Sequence, residues 1–239
     1  MKLIACYVVC NEERLIAESL RSVKAYVDGY VIVDCVFKSN AAVDATHSTD
    51  RTRAICEKVC SPIPLTYIES TVKLTEQDAR NIYLSKVENG DCILWLDGDE
   101  VIYGSHKEIS LLVKDIHEGK MRWGISFPTY TTAVLNRGLG KDMLEEAYLT
   151  NPLINTCCHQ MKIFQKQEGD HHINSDTVSE DAVYDSHDVL VTNRSIHPSS
   201  TIIVINHHVR QSHQEYVADC IWVLAQRAKQ NLSKPPHLR

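Results

Sequence analysis

Short apolar runs alternate with helical patterns along residues 1–100. The runs lie at residues 3–9, 30–33, 65–68 and 92–96. Between them, apolar side chains recur at helical spacing after Asn11, after Ser48 and after Thr75, and these three polar residues are types that begin helices. Alternation at these lengths is typical of right-handed β–α–β units. We therefore predict an α/β fold with a mainly parallel, twisted sheet flanked by helices.

The run at residues 92–96 leads directly into Asp97, Gly98 and Asp99, which we call the D-G-D turn. An apolar run without alternation predicts a strand that is buried on both faces. Ligands of open α/β sheets bind beyond the carboxyl ends of the strands. Two carboxylates at that place suit Mg²⁺ or Mn²⁺ held jointly with the phosphates of a substrate. The alternative interpretation is an acidic turn that caps the next helix.

Further residues at the ends of neighbouring strands are expected at the same edge of the sheet. Val8 lies near the end of the first run, Asn11 and Glu13 follow it, and Asp34 ends the second run. A carboxylate at this edge can accept hydrogen bonds from ribose hydroxyls or from a base N–H. Arg80, on the helix before the D-G-D turn, could pair with phosphate or with one of these carboxylates. The alternatives are helix capping for Asn11 and a solvated side chain for Arg80.

The pattern is more irregular after Glu100. We predict a helix over residues 109–116, strands over 123–127, 161–164 and 202–205, and a terminal helix over 216–232. A His- and Asp-rich segment covers residues 169–187, and its Glu180 and Asp181 are candidates for a general base, which must reach the proton that it removes. Solvated loop acids are the alternative for both residues. We expect one domain over 1–239, with a nucleotide-binding half (1–104) and an acceptor-binding half (105–239).

The composition of the chain argues against several classes of protein. The chain carries 31 acidic and 25 basic residues, a net charge of −6, which argues against a general nucleic-acid-binding protein. No apolar run approaches the roughly 18 residues of a membrane span. The first residues lack the features of a signal peptide, and nine cysteines without a regular framework fit reduced core cysteines in a cytoplasmic protein. Residues 234–239 could lead to a further domain.

The chain contains twelve histidines, a residue type that commonly binds metal ions. The chain contains neither C-x-x-C nor H-E-x-x-H, so its spacing does not support structural zinc. A single histidine that completes a carboxylate-held Mn²⁺ or Mg²⁺ site is more compatible, because Mn²⁺ tolerates imidazole.

Five motifs in order resemble those of the family 2 glycosyltransferases, whose fold is the GT-A type with a Rossmann-like nucleotide-binding half. The motifs are N-E-E with I-A-E-S-L-R-S at 11–22, V-I-V-D at 31–34 with S-T-D-R-T at 48–52, A-R-N at 79–81, L-W-L-D-G-D-E at 94–100, and I-N-H-H at 205–208. The resemblance is ordered and correctly spaced over residues 1–104, with a weaker part at 205–216.

This resemblance implies a hexosyl- or related glycosyltransferase that uses a UDP- or GDP-sugar and Mn²⁺ or Mg²⁺. It implies that Asp34 contacts the base or ribose, that Asp97 lies on the nucleotide side, that Asp99 holds the metal with Asp97, and that His207, or its neighbour His208, is a further ligand. The metal would neutralise charge on the departing nucleoside diphosphate. The acceptor would be a glycan, a glycoprotein or a lipid-linked molecule, and most members invert the anomeric centre with a carboxylate base.

Two features leave alternatives open. Thirteen residues (35–47) separate Asp34 from Ser48, whereas the family normally runs these motifs together. This insertion could reach over the base or the acceptor. The D-G-D turn also resembles the nucleophile motif of haloacid-dehalogenase-type phosphatases, with Asp97 as nucleophile and Asp99 as acid/base. A non-catalytic nucleotide-sugar-binding protein is the third interpretation.

Overall fold

The structure is a computed structural model that describes residues 1–40, 44–119, 124–135, 156–172, 183–184, 186–187, 196–198 and 203–210. The elements are β1 (Leu3–Val9), α1 (Ile16–Val23), β2 (Gly29–Asp34), α2 (Thr52–Cys60), β3 (Leu65–Glu69), α3 (Glu76–Leu84), β4 (Cys92–Asp97), β5 (Glu100–Tyr103), α4 (His106–His117), β6 (Gly124–Leu135), β7 (Thr156–Gln165), β8 (His171–His172), β9 (Val183–Tyr184), β10 (Ile196–Pro198) and β11 (Ile203–Arg210).

The first four strands form a parallel sheet in the order β3-β2-β1-β4, which confirms the predicted α/β architecture. From β4 the sheet continues through β7, β6 and β11 to β5, and β10 pairs with β6. The strands β7 and β5 are antiparallel to β4 and β11, respectively. The described strands β8 and β9 form a separate antiparallel pair.

Burial agrees with a sheet that helices cover on both faces. All six residues of β2 are buried, and so are residues 92–96 of β4. Because successive side chains of a strand point to opposite faces, two apolar layers result. One layer contains Leu94 and Leu96 with α1 and α4 residues, and the other contains Trp95 with residues of α3.

The observed bounds of the helices and strands agree only in part with the predicted ones. The predicted start of α3 is confirmed: Thr75 Oγ1 accepts a hydrogen bond from Asp78 N at 3.1 Å. Helix α1 begins at Ile16 rather than just after Asn11, and the Asn11 side chain accepts a hydrogen bond from Thr49 N instead of capping it. Helix α4 and strands β6, β7 and β11 are longer than predicted, and the predicted helix over 216–232 lies outside the described residues.

Contacts divide the chain into two compact units. The larger comprises Met1–Thr129 with Cys158–Asn206, and the smaller comprises Tyr130–Cys157 with His207–Arg239. No helix among the described residues is both long enough and apolar enough to cross a membrane. Six cysteines with described side chains are free thiols: Cys6, Cys10, Cys35, Cys56, Cys60 and Cys92. The division into halves at residue 104 stays a prediction.

Candidate functional site

Parallel pairing brings the ends of β1, β2 and β4 to one edge of the sheet. Val9 is in register with Asp34 of β2, and Val8 is in register with Asp97 of β4. The predicted convergence of these strand ends is therefore observed, and Asn11 follows two residues beyond β1.

The D-G-D turn connects two strands. It leads from β4 into β5, so the alternative in which it caps a helix is wrong. Asp97 and Asp99 are both partly exposed, with the Asp97 side chain 50% exposed, and Gly98 between them is buried. The turn therefore presents two partly exposed carboxylates at the carboxyl edge of the sheet.

Burial and neighbouring carboxylates raise two pKa values at this edge. Burial, together with the charges of Asp97 and Asp50, raises the pKa of Glu12 to about 7. Burial and then the charges of Asp97, Glu12 and Glu100 raise the pKa of Asp99 well above its usual range. Because like charges disfavour ionisation of their neighbours, a cation bound at this edge would favour the charged forms of these carboxylates.

Glu12 is a site residue that sequence reasoning missed, since we predicted a role for its neighbour Glu13. A Cβ built on Gly98 would lie 2.8 Å from Glu12 Cγ, so the glycine leaves room for the glutamate side chain beside the D-G-D turn. The signal in the sequence was Gly98 itself, because a glycine between two aspartates allows close approach by another side chain.

Asn11 and Glu13 contact the segment that precedes α2. Asn11 Oδ1 accepts from Thr49 N at 2.9 Å, and Asn11 N donates to Ser48 Oγ at 2.8 Å. Glu13 Oε2 accepts from Arg51 Nε at 3.2 Å and from its backbone N at 3.3 Å. Both side chains thus join the first motif to the second, and their contact with a nucleotide stays a prediction.

Asp34 is completely buried and has protein partners for both oxygens. Its Oδ1 accepts from Ser48 N and Ser48 Oγ, both at 2.8 Å, and its Oδ2 accepts from the Tyr67 hydroxyl at 2.7 Å. Burial and this bond to Asp34 raise the pKa of Tyr67. Asp34 therefore holds the Ser48 segment at the end of β2, and its predicted contact with a base or ribose stays a prediction.

The insertion after Asp34 runs alongside residues 70–74 rather than projecting as an isolated loop. Val36 N donates to Thr46 O at 2.8 Å, Leu74 N donates to Val36 O at 3.1 Å, and Phe37 forms a parallel bridge with Leu74. These bonds join the two ends of the insertion, although its residues 41–43 lie outside the described part.

Arg80 lies at the same edge and is almost completely buried, so the alternative of a solvated side chain is wrong. Its guanidinium pairs with Glu76, lies 4.0 Å from Asp97 Oδ1, and stacks 4.8 Å from the centre of the Trp95 ring. Arg80, Asp97 and Trp95 line a small pocket together with Lys162 and Val8. This pocket places the Arg80 guanidinium next to the half-exposed Asp97 carboxylate, whereas the charge of Lys162 is paired with buried Glu100.

The sequence model of a known protein family matches most of this chain. The family is described as glycosyl transferase family 2, and the match covers residues 5–167. The chain belongs to glycosyl transferase family 2. The family match includes most of β1 and all of β2–β7, and it favours this membership over the phosphatase alternative.

Solved structures resemble the family 2 chain only distantly, and no curated protein matches it. TarS of S. aureus is 23% identical with a TM-score of 0.37, over 59% of this chain and 23% of TarS. TarS 1-349 in complex with UDP-GlcNAc is 23% identical with a TM-score of 0.38, over 59% and 36% of the two chains. Mannose-6-phosphate isomerase from Helicobacter pylori is 11% identical with a TM-score of 0.40, over 69% and 71%. Similarity at this level indicates neither ligand nor reaction.

The side chains of three predicted site residues lie outside the described part of the chain. Glu180 and Asp181 lie outside the described residues. His207 lies on β11, but its side chain is outside the described part, as is that of His208. Among the described residues, no group of three or more His, Cys, Asp or Glu is placed to hold a metal ion.

Proposed function

We propose that this chain is a nucleotide-sugar glycosyltransferase that binds its donor at the carboxyl edge of β1, β2 and β4. The observation that carries the proposal is the D-G-D turn of a family 2 chain with Glu12 and Arg80 beside it. Open α/β sheets bind ligands at this edge, and Arg80 supplies a buried cation there. The donor would be a UDP- or GDP-sugar.

A divalent metal fits the donor set of the D-G-D turn. Hard carboxylate oxygens suit Mn²⁺ or Mg²⁺, and Mg²⁺ is commonly held by one or two carboxylates together with substrate phosphates. Asp99 and Asp97 would hold the ion, with His207 as the third protein ligand that the family resemblance implies. The raised pKa of Asp99 supports this assignment, since it reflects burial and then the charges of neighbouring carboxylates, which a cation would offset. The metal would neutralise charge on the leaving nucleoside diphosphate.

The other predicted site residues are assigned to the nucleotide, to the phosphates or to the acceptor. Val8, Asn11, Glu13 and Asp34 would form the nucleotide side, and Arg80 would orient Asp97 or contact a phosphate. Asp181 or Glu180 would remove the proton from an acceptor hydroxyl, with inversion at the anomeric carbon. The acceptor would be a glycan, a glycoprotein or a lipid-linked molecule, and the sugar a hexose or a related residue.

Release of nucleoside diphosphate tests the proposal. The purified chain is incubated with UDP-sugars and GDP-sugars and Mn²⁺, and the released UDP or GDP is quantified. We expect release with one donor class, and Asp99→Ala should lower it by about 100-fold. Asp115→Ala, a substitution of an exposed aspartate on α4, is the matched control and should retain release.

Two outcomes would overturn the proposal in different directions. Binding of UDP without release from any donor would favour a non-catalytic nucleotide-sugar-binding protein. Turnover of p-nitrophenyl phosphate that disappears in Asp97→Asn would favour the phosphatase.

A further inference from the structure

A buried ion pair lies directly behind the D-G-D turn. Glu100, the first residue of β5, and Lys162, on β7, have side chains that are 2% and 6% exposed. Lys162 Nζ lies 2.7 Å from both carboxylate oxygens of Glu100. The two residues are 62 positions apart in the chain, so the pair joins the strand after the turn to the antiparallel neighbour of β4.

Glu100 is also bonded to the turn itself. Its Oε2 accepts a hydrogen bond from Asp97 N at 3.0 Å, so the carboxylate closes the turn from inside. On the α1 side, the hydroxyl of buried Ser19 donates to Glu100 O and lies 3.5 Å from Asp97 O. The backbone on both sides of Gly98 is thereby held by side chains from two different elements, β5 and α1.

The chemistry of buried charges suggests why an ion pair stands here. Removing two charges from water is expensive, and an apolar pair of similar volume often stabilises a fold equally well. What an apolar pair cannot do is offer a hydrogen-bond acceptor to Asp97 N. Lys162 compensates the charge of Glu100, and its two short bonds fix the carboxylate in the one orientation that reaches this N–H.

We propose that Glu100 and Lys162 are positioning residues, which hold the D-G-D turn in the conformation that binds the metal and diphosphate. This inference rests on the proposed function of the turn. It assigns to Lys162, which the sequence places in the acceptor-binding half, a role on the donor side of the site. Neither residue needs to touch the ligand for this role.

Two double variants separate positioning from core packing. Glu100→Gln with Lys162→Gln replaces the ion pair by two amides, one of which still offers an oxygen to Asp97 N. Glu100→Leu with Lys162→Met also removes both charges but leaves Asp97 N without an acceptor. Both variants avoid an uncompensated buried charge, which would unfold a single variant, and thermal unfolding verifies that each is folded.

The first measurement is calorimetric titration with UDP in the presence of Mn²⁺. Loss of an outer partner of a metal ligand typically weakens affinity about 10- to 100-fold, so we expect a loss of that size for E100L with K162M and a change below about threefold for E100Q with K162Q. Equal affinity of both folded variants with the wild type would overturn the positioning role. Equal loss in both would also overturn it, because the acceptor for Asp97 N would then be irrelevant.

The second measurement does not depend on the proposed function. Hydrogen exchange of the Asp97 amide should accelerate in E100L with K162M and remain slow in E100Q with K162Q. If the wild type binds no UDP, the proposed function fails, and this exchange pattern still decides whether the pair orders the turn. Slow exchange in both double variants would refute the inference on its own.

Discussion

Substitution of Gly98 by alanine tests whether Glu12 packs beside the D-G-D turn. A Cβ at position 98 would lie 2.8 Å from Glu12 Cγ and 3.3 Å from both Glu12 Cβ and Cδ. The first distance is well inside van der Waals contact, so the glutamate side chain has to move. The expected effect is therefore steric.

The magnitude depends on how far Glu12 can retreat. Its backbone is held, because Glu12 N donates to Thr52 Oγ1 at 2.8 Å and its carbonyl accepts from Leu15 N and Ile16 N at 3.1 and 3.0 Å. Only rotation of the side chain remains, and this moves Cγ but not Cβ. Insertion of a methyl group into a packed site typically costs about 1–3 kcal/mol, and we expect Gly98→Ala to lower the free energy of unfolding by about 1–2 kcal/mol.

A double-mutant cycle with Glu12→Ala provides the assay. Urea denaturation gives the free energy of unfolding of the wild type, the two single variants and the double variant. Alanine at position 12 has no Cγ, so the cost of Gly98→Ala should fall by about 1 kcal/mol in that background, a typical coupling for residues in contact. An equal cost in both backgrounds would refute the packing of Glu12 against Gly98.

Three further predictions concern polar groups near the site. The environment of Glu12 raises its pKa from 4.5 to about 7, so the stability of the protein should fall as pH rises through this interval. Glu12→Gln should remove this pH dependence, which amounts to at most about 3 kcal/mol of unfolding free energy between pH 5 and 8, measured by urea denaturation. Tyr67→Phe removes the donor to buried Asp34 Oδ2 and should cost about 1–3 kcal/mol of unfolding free energy. Asn81→Leu removes both bonds from its amide to the His172 backbone, at 2.7 and 2.9 Å, and should lower stability by about 1–3 kcal/mol and accelerate exchange of the His172 amide. An unchanged pH dependence in Glu12→Gln, an unchanged stability in Tyr67→Phe, or an unchanged exchange rate in Asn81→Leu would contradict the respective prediction.

The parallel half of the fold could be predicted because its signals are local. Unbroken apolar runs identify β2 and β4 as doubly covered strands, and Thr75 is a side chain that begins a helix at its own position. Once those strands are parallel, Asp34 and Asp97 must reach the same edge of the sheet.

The remaining features depend on pairings that no local pattern encodes. The short strand β5 follows the D-G-D turn at once and pairs with β11, about a hundred residues later. The bond between Lys162 and Glu100 requires the antiparallel register of β7 on β4. The bond between the Tyr67 hydroxyl and Asp34 likewise depends on the pairing of β3 with β2, and Tyr67 shares no motif with Asp34.

The central claim is that the D-G-D turn binds a metal together with a nucleoside diphosphate. Calorimetry with UDP, with and without Mn²⁺, on the wild type and on Asp99→Ala tests it most directly. We predict binding that requires Mn²⁺ and that is lost in Asp99→Ala, while the variant remains folded, because Asp99 stands among like charges that its removal relieves. Binding of UDP that is independent of Mn²⁺, or that is unchanged in Asp99→Ala, would contradict the claim.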